Sequence, residues 1–186
     1  MRIISGKFKG SLLKFIRSSF TRPLKDSVKE NIFNILIHSK NIEVKIDNSN
    51  VIDLYSGIGS FGLECLSRGA NKVTFIEQNP SVLKILNENL KKLNLENKVR
   101  TINGAVDNFC NENVKEKFDI LFFDPPYAEK NFLKVMKTFE MKKIFNKKHI
   151  FIVHREKGND ENLENNFKIL FSKIYGRSKI IFGKFS

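Results

Sequence analysis

Residues 51–62 of the chain have the sequence VIDLYSGIGSFG, in which a short apolar run leads into three glycines. Gly57, Gly59 and Gly62 form the pattern G-x-G-x-x-G between a predicted strand and a predicted helix. Glycine lets the backbone turn sharply and approach a ligand without a Cβ in the way. The pattern is common, so by itself it indicates only an α/β fold with a ligand-binding turn after its first strand.

Outward from this turn, apolar runs alternate with amphipathic segments. Strands are predicted at residues 51–54, 72–76, 99–102, 118–123, 150–153, 167–175 and 179–185, and helices at 26–36, 60–68 and 80–93. Asp26 is the expected N-cap of the first helix. Strands separated by helices predict a parallel sheet covered on both faces, whereas the turn at 176–178 predicts an antiparallel hairpin between the last two strands.

The chain divides into two predicted parts. Residues 1–40 form a basic N-terminal hairpin and helix, and residues 41–186 form the main α/β domain. The hairpin spans residues 1–17, with Gly6 and Gly10 near its turns.

Two carboxylates give the glycine turn a chemical character. Asp53 ends the first strand four residues before Gly57, where its charge suits a cationic ligand and would repel a pyrophosphate. Glu77 ends the second strand, where an acidic side chain can hold both hydroxyls of a ribose. The alternative is that the glycines only make a turn and Glu77 is a solvated strand end.

The strand at 118–123 leads into Asp124-Pro125-Pro126-Tyr127. Consecutive prolines make the strand exit rigid and leave two carbonyls that no helix uses. An amine conjugated with a base ring becomes a better nucleophile when the Asp124 carboxylate and the Pro125 carbonyl accept its two N–H groups. Tyr127 can then stack on a base that has left its helix. The alternative is a proline-rich turn that simply ends a strand.

The charge of the chain indicates a polyanionic partner. Lys and Arg number 33 against 20 Asp and Glu, a net charge of +13, and neutralisation of phosphates dominates affinity for nucleic acids. A biased composition rich in Lys, Asn, Ile and Phe is the alternative explanation.

Several classes of protein are disfavoured by the composition. The longest apolar runs are too short to cross a bilayer, and the first residues offer no signal-peptide core, so a cytoplasmic protein is expected. Cys65 and Cys110 have no metal or redox spacing and fall on predicted helices, where small core residues are expected. The sequence therefore predicts no metal site.

Residues 53–62, Glu77 and the Asp-Pro-Pro-Tyr tetrad at 124–127 together resemble class I S-adenosylmethionine-dependent methyltransferases that modify amines. The N-terminal segment MRIISGKFKG at 1–10, Thr21-Arg22-Pro23 and residues 26–36 resemble the RsmD family, which methylates N2 of a guanine in bacterial 16S ribosomal RNA. The resemblance implies a Rossmann-like class I methyltransferase fold. Its sheet would have seven strands, mostly parallel, with a C-terminal antiparallel hairpin and a small N-terminal β-hairpin extension.

The resemblance also implies roles for individual residues. The expected cofactor is S-adenosyl-L-methionine, held by Asp53, Tyr55, Ser56, Gly57, Gly59, Gly62, Glu77, Gln78, Asn103, Gly104, Ala105, Val106 and Asp124. The expected catalytic residues are Asp124, Pro125, Pro126 and Tyr127, and the expected RNA contacts are Arg2, Lys7, Lys9, Lys14 and Arg22. The implied partner is 16S rRNA or a small-subunit assembly intermediate, bound by a monomer.

The sequence departs from the family at three places. After the third strand, the contact to the cofactor adenine stays open among Asn103, the backbone of Ala105 or Val106, and Asp107. Ser27 and Lys29 stand where the family tends to have arginines, which predicts altered RNA contacts. His154 occupies a position that is often acidic in relatives, and a structural role is expected for it.

Three other functions are compatible with parts of the sequence. The tetrad permits methylation of adenine N6 or cytosine N4 in DNA, although no separate DNA-recognition segment is apparent. A non-catalytic RNA-binding protein on a methyltransferase scaffold would not require the intact glycine turn and tetrad. An NAD-dependent dehydrogenase would have no use for Asp53 or the Pro-Pro turn.

Overall fold

In the computed structural model, which describes residues 1–15, 24–126, 129, 131–158 and 163–186, the chain folds around one seven-stranded sheet. The strands are β1 (Asn50–Leu54), β2 (Lys72–Glu77), β3 (Val99–Asn103), β4 (Phe118–Phe123), β5 (Phe145–Glu156), β6 (Lys168–Tyr175) and β7 (Ser178–Lys184). The helices are α1 (Asp26–His38), α2 (Ser60–Ser67), α3 (Pro80–Lys92), α4 (Val106–Asn111) and α5 (Phe132–Met141). Short 3-10 turns lie at Glu96–Lys98 and Leu163–Asn165.

The strand order is β3-β2-β1-β4-β5-β7-β6. Strands β1 to β5 pair in parallel, whereas β7 runs antiparallel to both β5 and β6. The predicted mostly parallel sheet with an antiparallel C-terminal hairpin is therefore confirmed. Parallel strands are buried on both faces, which explains why Val51 to Leu54 are all buried and all apolar except Asp53.

Two apolar layers cover the sheet. Side chains of α1, α2 and α3 pack on one face in a cluster that includes Ile32, Phe61 and Leu86. Side chains of α4 and α5 pack on the other face, where Phe109 and Phe139 belong to the second cluster. None of the helices in the described parts of the chain is long and apolar enough to span a membrane.

Three local predictions need correction. Lys25 occupies the N-cap position of α1 and Asp26 is its first helical residue, so Asp26 does not cap the helix. Strand β5 begins at Phe145 instead of residue 150, because the polar segment before Ile150 continues the pairing with β4 across a register shift. The N-terminal hairpin is present but shorter than predicted: Arg2 and Leu12 form an antiparallel bridge, and backbone hydrogen bonds run from Ile3 to Ser11 and from Leu13 to Met1.

The topology fixes where a site can form. Strand β1 lies between β2 and β4, and Leu54 is in register with Ile76 on one side and Phe123 on the other. The carboxyl ends of these three strands therefore meet at one edge of the sheet, which is where open α/β sheets bind their ligands. We call this edge, formed by the ends of β1, β2 and β4, the sheet rim.

Candidate active site

Three carboxylates lie at the sheet rim. Asp53 lies near the end of β1, Glu77 is the last residue of β2, and Asp124 follows β4 directly. The neighbouring charges of Asp124 and Glu77 both raise the pKa of Asp53, so the three groups act on one another through space. A rim with this charge favours a cationic ligand and disfavours a phosphate.

Asp53 is a buried acid, with 1% of the residue exposed. Its Oδ2 accepts a hydrogen bond of 2.9 Å from the backbone N–H of Gly62 in the first turn of α2. Burial raises the pKa of Asp53 well above its ordinary value, the Gly62 N–H opposes the rise, and the charges of Asp124 and Glu77 add to it. A cation bound at the rim would lower this pKa again, because it favours the ionised carboxylate.

The three glycines of the turn have different surroundings. Gly57, at φ +56°, would direct a Cβ into open space, since no heavy atom lies within 4 Å of that position. A Cβ on Gly59 would lie 2.4 Å from Leu86, and one on Gly62 would lie 2.3 Å from the ring of Phe75. Gly57 thus borders space that a ligand could fill, whereas Gly59 and Gly62 let α2 and the turn pack closely on α3 and β2. Their direct contact with a cofactor stays a prediction.

The start of the turn combines backbone strain with an unsatisfied polar group. Tyr55 has φ +60°, an uncommon conformation for a residue with a side chain. The next residue, Ser56, is buried, and within the described residues its hydroxyl has no hydrogen-bond partner. A buried hydroxyl without a partner costs free energy unless a ligand supplies one. Together with the open space at Gly57, this fits a nucleoside-like ligand at the turn.

Glu77 links the turn to the next strand. Its Oε2 accepts from the N–H of Gly57 at 2.8 Å, and its Oε1 accepts from the N–H of Asn79 at 2.8 Å. Each carboxylate oxygen has a second lone pair, so the group can still accept hydrogen bonds from two hydroxyls. The carboxylate is thereby held in place before any ligand arrives.

The residues predicted to contact the cofactor adenine lie next to Glu77. The Asn103 side chain donates to the carbonyls of Glu77 and Gln78 at 3.1 and 3.4 Å, and the Gly104 N–H donates to the Glu77 carbonyl at 3.1 Å. The Asn103 amide nitrogen is therefore used to shape the rim, while its amide oxygen stays available. Ala105 precedes α4, and Val106, its first residue, is buried.

Asp124 is held from the neighbouring strand. Its Oδ1 lies 2.8 Å from Nδ1 of His154 on β5, and Nε2 of that ring lies 2.9 Å from the hydroxyl of Ser178 on β7. The Asp124 side chain is 23% exposed, so solvent reaches it from the rim. Sequence reasoning gave His154 only a structural role. Its contact with Asp124 follows from register, since Phe123 pairs with Val153 and the next residue of each strand lies alongside.

The prolines after Asp124 are also tied to β5. Arg155 is 2% exposed and donates from Nη1 to the Pro126 carbonyl at 3.0 Å and to the Pro125 carbonyl at 3.4 Å. No helix of the described residues uses these two carbonyls; a buried arginine 29 or 30 positions away donates to both of them. The long contact to Pro125 leaves that carbonyl a lone pair for a further donor. Tyr127 lies outside the described residues.

The N-terminal loop, residues 1–15, is fastened to α2 by a buried acid. Glu64 is fully buried, and its two oxygens accept the N–H groups of Ile4 at 2.7 Å and Ser5 at 3.0 Å. Arg68 neutralises the same carboxylate through Nε at 2.8 Å. The loop is therefore part of the packed structure, and its outer face has a fixed position relative to α2.

Lys29 supports the same junction from α1. Its ammonium is fully buried, donates to the Arg2 carbonyl at 2.7 Å and to the Ser60 hydroxyl at 3.2 Å, and lies 3.8 Å from Glu64. Burial lowers the pKa of Lys29, against the opposing effect of the Glu64 and Asp26 charges. The expectation that Lys29 alters RNA contacts is wrong, because its charge lies inside the protein.

The predicted RNA contacts that the structure describes lie on the outside of the N-terminal loop. The side chains of Arg2, Lys7, Lys9 and Lys14 are exposed, and Lys14 pairs with Glu88 at 2.9 Å. Arg22 lies outside the described residues.

Neither cysteine has the surroundings of a nucleophile. Cys65 and Cys110 lie on α2 and α4 and are buried. Burial raises the pKa of the Cys65 thiol well above its ordinary value and that of Cys110 to about 12. The thiolate is the reactive form, so both residues fill space in the core, as predicted.

Comparisons with known proteins agree with this geometry. The chain matches the family described as conserved hypothetical protein 95 over residues 1–184. It is 30% identical to an uncharacterized methylase of Rickettsia prowazekii, over all of this chain and 98% of the relative. It is also 30% identical to the ribosomal RNA small subunit methyltransferase D of Buchnera aphidicola subsp. Acyrthosiphon pisum, over 92% of this chain and 86% of the relative.

The fold has solved counterparts. A structure of the candidate methyltransferase yhhF of Escherichia coli superposes with a TM-score of 0.84 at 26% identity, covering 98% of this chain and 96% of that one. The family match includes the N-terminal loop, the glycine turn and the Asp-Pro-Pro turn. The chain therefore belongs to the conserved hypothetical protein 95 family, the RsmD family of class I methyltransferases.

Proposed function

We propose that this protein transfers a methyl group from S-adenosylmethionine to ribosomal RNA, and that its target is the exocyclic N2 amine of a guanine in 16S rRNA, the one numbered 966. The observation that carries the proposal is the Asp124 carboxylate, held at the end of β4 beside an acidic glycine turn. The methyltransferase D relatives are named for small-subunit ribosomal RNA, which supports the substrate class.

The cofactor site is proposed on the ends of β1, β2 and β3. The open space at Gly57 and the unsatisfied Ser56 hydroxyl fit a bound nucleoside. Asp53 provides negative charge for a cationic group, and Glu77 accepts from ribose hydroxyls. When bound, S-adenosylmethionine supplies a methyl group on a positively charged sulfur whose leaving form is a neutral thioether.

The target amine is proposed to lie between Asp124 and Pro125. The carboxylate accepts one N–H and the Pro125 carbonyl accepts the other, so that the nitrogen lone pair is directed toward the methyl group. S-adenosylmethionine held beside this nitrogen would supply the methyl group and would leave as the neutral thioether. The amine then loses one proton, which Asp124 can take and pass to water. Positioning provides most of the rate, so no strong base is needed.

Ribosomal RNA is proposed to bind across the exposed face of the N-terminal loop. The net charge of +13 and the outward-facing Arg2, Lys7, Lys9 and Lys14 supply cations for phosphates. These side chains surround a loop that is fastened to α2 at its base. We further propose that the protein acts as a monomer on naked 16S rRNA or on a small-subunit assembly intermediate.

Replacing Asp124 by alanine tests the mechanism. We expect methyl transfer from radiolabelled S-adenosylmethionine to fall by about 100-fold or more, since misplacing a reacting group costs that much, while calorimetry shows cofactor affinity within a few-fold. Asp119→Ala is a control, because Asp119 lies at the opposite end of β4. Unchanged turnover in the Asp124 variant would refute the mechanism.

The substrate is tested with naked 16S rRNA, small-subunit intermediates and DNA in the same assay, followed by mapping of the modified nucleotide. Methylation of DNA alone would favour an adenine or cytosine methyltransferase. Absence of S-adenosylmethionine binding would favour a non-catalytic RNA-binding protein.

Reversing the charge of Lys7 and Lys9 to glutamate tests the RNA surface. We expect weaker binding of 16S rRNA and a shallower dependence of the binding constant on salt, because fewer counterions are released. Reversal at Lys147 and Lys148, exposed residues near the start of β5 and far from the rim, is the matched control. If the two double variants weakened RNA binding equally, the N-terminal loop would not be part of the RNA site.

A further inference from the structure

We propose that His154 is a positioning residue that holds the Asp124 carboxylate in the orientation needed to receive the target amine. The proposal rests on the proposed function, in which Asp124 is catalytic. It goes beyond that function because it assigns a role to a buried histidine on another strand and to Ser178 behind it. The imidazole ring lies between these two groups, 2.8 Å from one and 2.9 Å from the other.

The hydrogen-bond partners determine which ring nitrogen carries the proton. An ionised carboxylate can only accept, so Nδ1 of His154 donates to Asp124. In the neutral ring Nε2 is then the acceptor, and the Ser178 hydroxyl donates to it. Ser178 is 4% exposed and His154 is 3% exposed, so the imidazole ring is shielded from solvent, although solvent reaches the Asp124 carboxylate from the rim.

In this arrangement the two carboxylate oxygens of Asp124 have different hydrogen-bond partners. Oδ1 is occupied by the His154 N–H, which leaves Oδ2 to accept from a target amine. Without the imidazole, the carboxylate could rotate about its Cβ–Cγ bond and present its oxygens in any direction. A bond to a rigid, buried ring fixes the plane of the carboxylate, and catalysis by positioning depends on such fixed geometry.

Substitution of His154 by asparagine or by glutamine distinguishes a positioning role from a packing role. The amide nitrogen of asparagine lies near the position of Nδ1, so His154→Asn keeps a donor for Asp124 and loses the contact to Ser178. The amide of glutamine lies near the position of Nε2, so His154→Gln keeps the contact to Ser178 and loses the donor. A histidine that only fills the core would be replaced equally well or equally badly by both.

The first measurement is steady-state methyl transfer to 16S rRNA. We expect kcat of His154→Asn within about 3-fold of wild type and kcat of His154→Gln lower by about 10- to 100-fold. KM for S-adenosylmethionine and for RNA should stay within about 3-fold in both. Equal kcat in the two variants, or a loss confined to KM, would overturn the proposal.

The second measurement does not depend on activity. Crystal structures of both variants should show the Asp124 carboxylate turned in His154→Gln and unmoved in His154→Asn. An unmoved carboxylate in His154→Gln overturns the proposal. If wild type transfers no methyl group, the proposed function fails while this comparison still decides the role of His154. If neither variant folds, NMR of the isotopically labelled wild-type protein should show the His154 ring protonated at Nδ1, the nitrogen that faces Asp124, and a ring protonated at Nε2 alone would overturn the proposal.

Discussion

Replacing Asp53 by asparagine removes one negative charge from the sheet rim with little change of shape. The amide oxygen of asparagine can still accept the N–H of Gly62, which the carboxylate receives at 2.9 Å. The charge is what the proposed cofactor site uses, because a cationic group bound there interacts with Asp53. Hydrogen bonds or close contacts to a charged group contribute about 1.5–3 kcal/mol. We therefore expect affinity for S-adenosylmethionine to fall by about 10- to 150-fold, at about 1.4 kcal/mol per factor of ten.

The same substitution should not weaken the fold. Burial, together with the charges of Asp124 and Glu77, raises the pKa of Asp53 in the folded protein. A group whose pKa is higher in the folded state contributes stability at pH values below its unfolded pKa and loses it as pH rises through the folded pKa. At neutral pH the wild type has lost the stability that the raised pKa of Asp53 contributes in acid, whereas the asparagine variant has no such loss. The variant should have an equal or higher free energy of unfolding at pH 7, with the difference shrinking toward acid.

Calorimetry with S-adenosylmethionine measures the cofactor affinity, and urea denaturation between about pH 4 and pH 8 measures the free energy of unfolding. Asp119→Asn is a matched control, because Asp119 also accepts a backbone N–H, that of Asn50 at 2.8 Å, but at the opposite end of the strands. Cofactor affinity within 3-fold of wild type in Asp53→Asn would refute the assignment of the cationic group to this carboxylate. A lower free energy of unfolding at pH 7 would refute the account of its buried charge.

Two further predictions concern the fold around the site. Gly62→Ala should lower the free energy of unfolding in a urea titration by about 1–3 kcal/mol through overpacking, because the new Cβ would lie 2.3 Å from the ring of Phe75. Gly104→Ala is the control. No heavy atom lies within 4 Å of a Cβ at Gly104, so this variant should change the free energy of unfolding little. Burial lowers the pKa of His149 below its ordinary 6.5, and its Nε2 accepts the N–H of Phe185 at 2.9 Å. The stability it contributes is present above the unfolded pKa and is lost as pH falls through the folded pKa. His149→Gln should therefore flatten the loss of stability below about pH 6.5, and parallel curves for the two proteins would contradict this.

The fold could be predicted from the sequence because most of its strands have a recognisable local pattern of apolar residues. Buried parallel strands appear as short apolar runs, and the helix between two of them carries its own amphipathic spacing, as at Pro80–Lys92. The prolines and glycines at the ends of these runs mark the turns. The exception was β5, where the residues from Asn146 to His149 are polar and follow a register shift in the pairing with β4, so their pattern did not indicate a strand.

The main acids of the site could also be predicted, since Asp53, Glu77 and Asp124 stand at the ends of recognisable strands. Their supporting partners could not. His154 and Arg155 lie in β5, 29 to 30 positions after the aspartate and the prolines that they contact. Only the order and register of β4 and β5 bring them together, and neither is determined by local sequence.

The glycine pattern shows a similar limit. Its three members look equivalent in the sequence, yet Gly57 faces open space while Gly59 and Gly62 face Leu86 and Phe75. A glycine is needed for a close approach of any kind, whether the approaching group is a ligand or a side chain of the core. The motif therefore predicts a tight turn, and the fold decides which glycine can border a ligand.

Buried charges join the basic N-terminal loop to the helix that begins at the glycine turn. Glu64 on α2 binds the backbone of Ile4 and Ser5, and Lys29 binds the carbonyl of Arg2. Hydrogen bonds to charged groups contribute about 1.5–3 kcal/mol each, so the loop is held firmly against α2. In the proposed function, RNA phosphates bound on the loop would be held at a set distance from Asp124. The carboxylate and the proline carbonyl can accept any exocyclic amine, so the choice among amines would come from which nucleotide this distance brings to the rim.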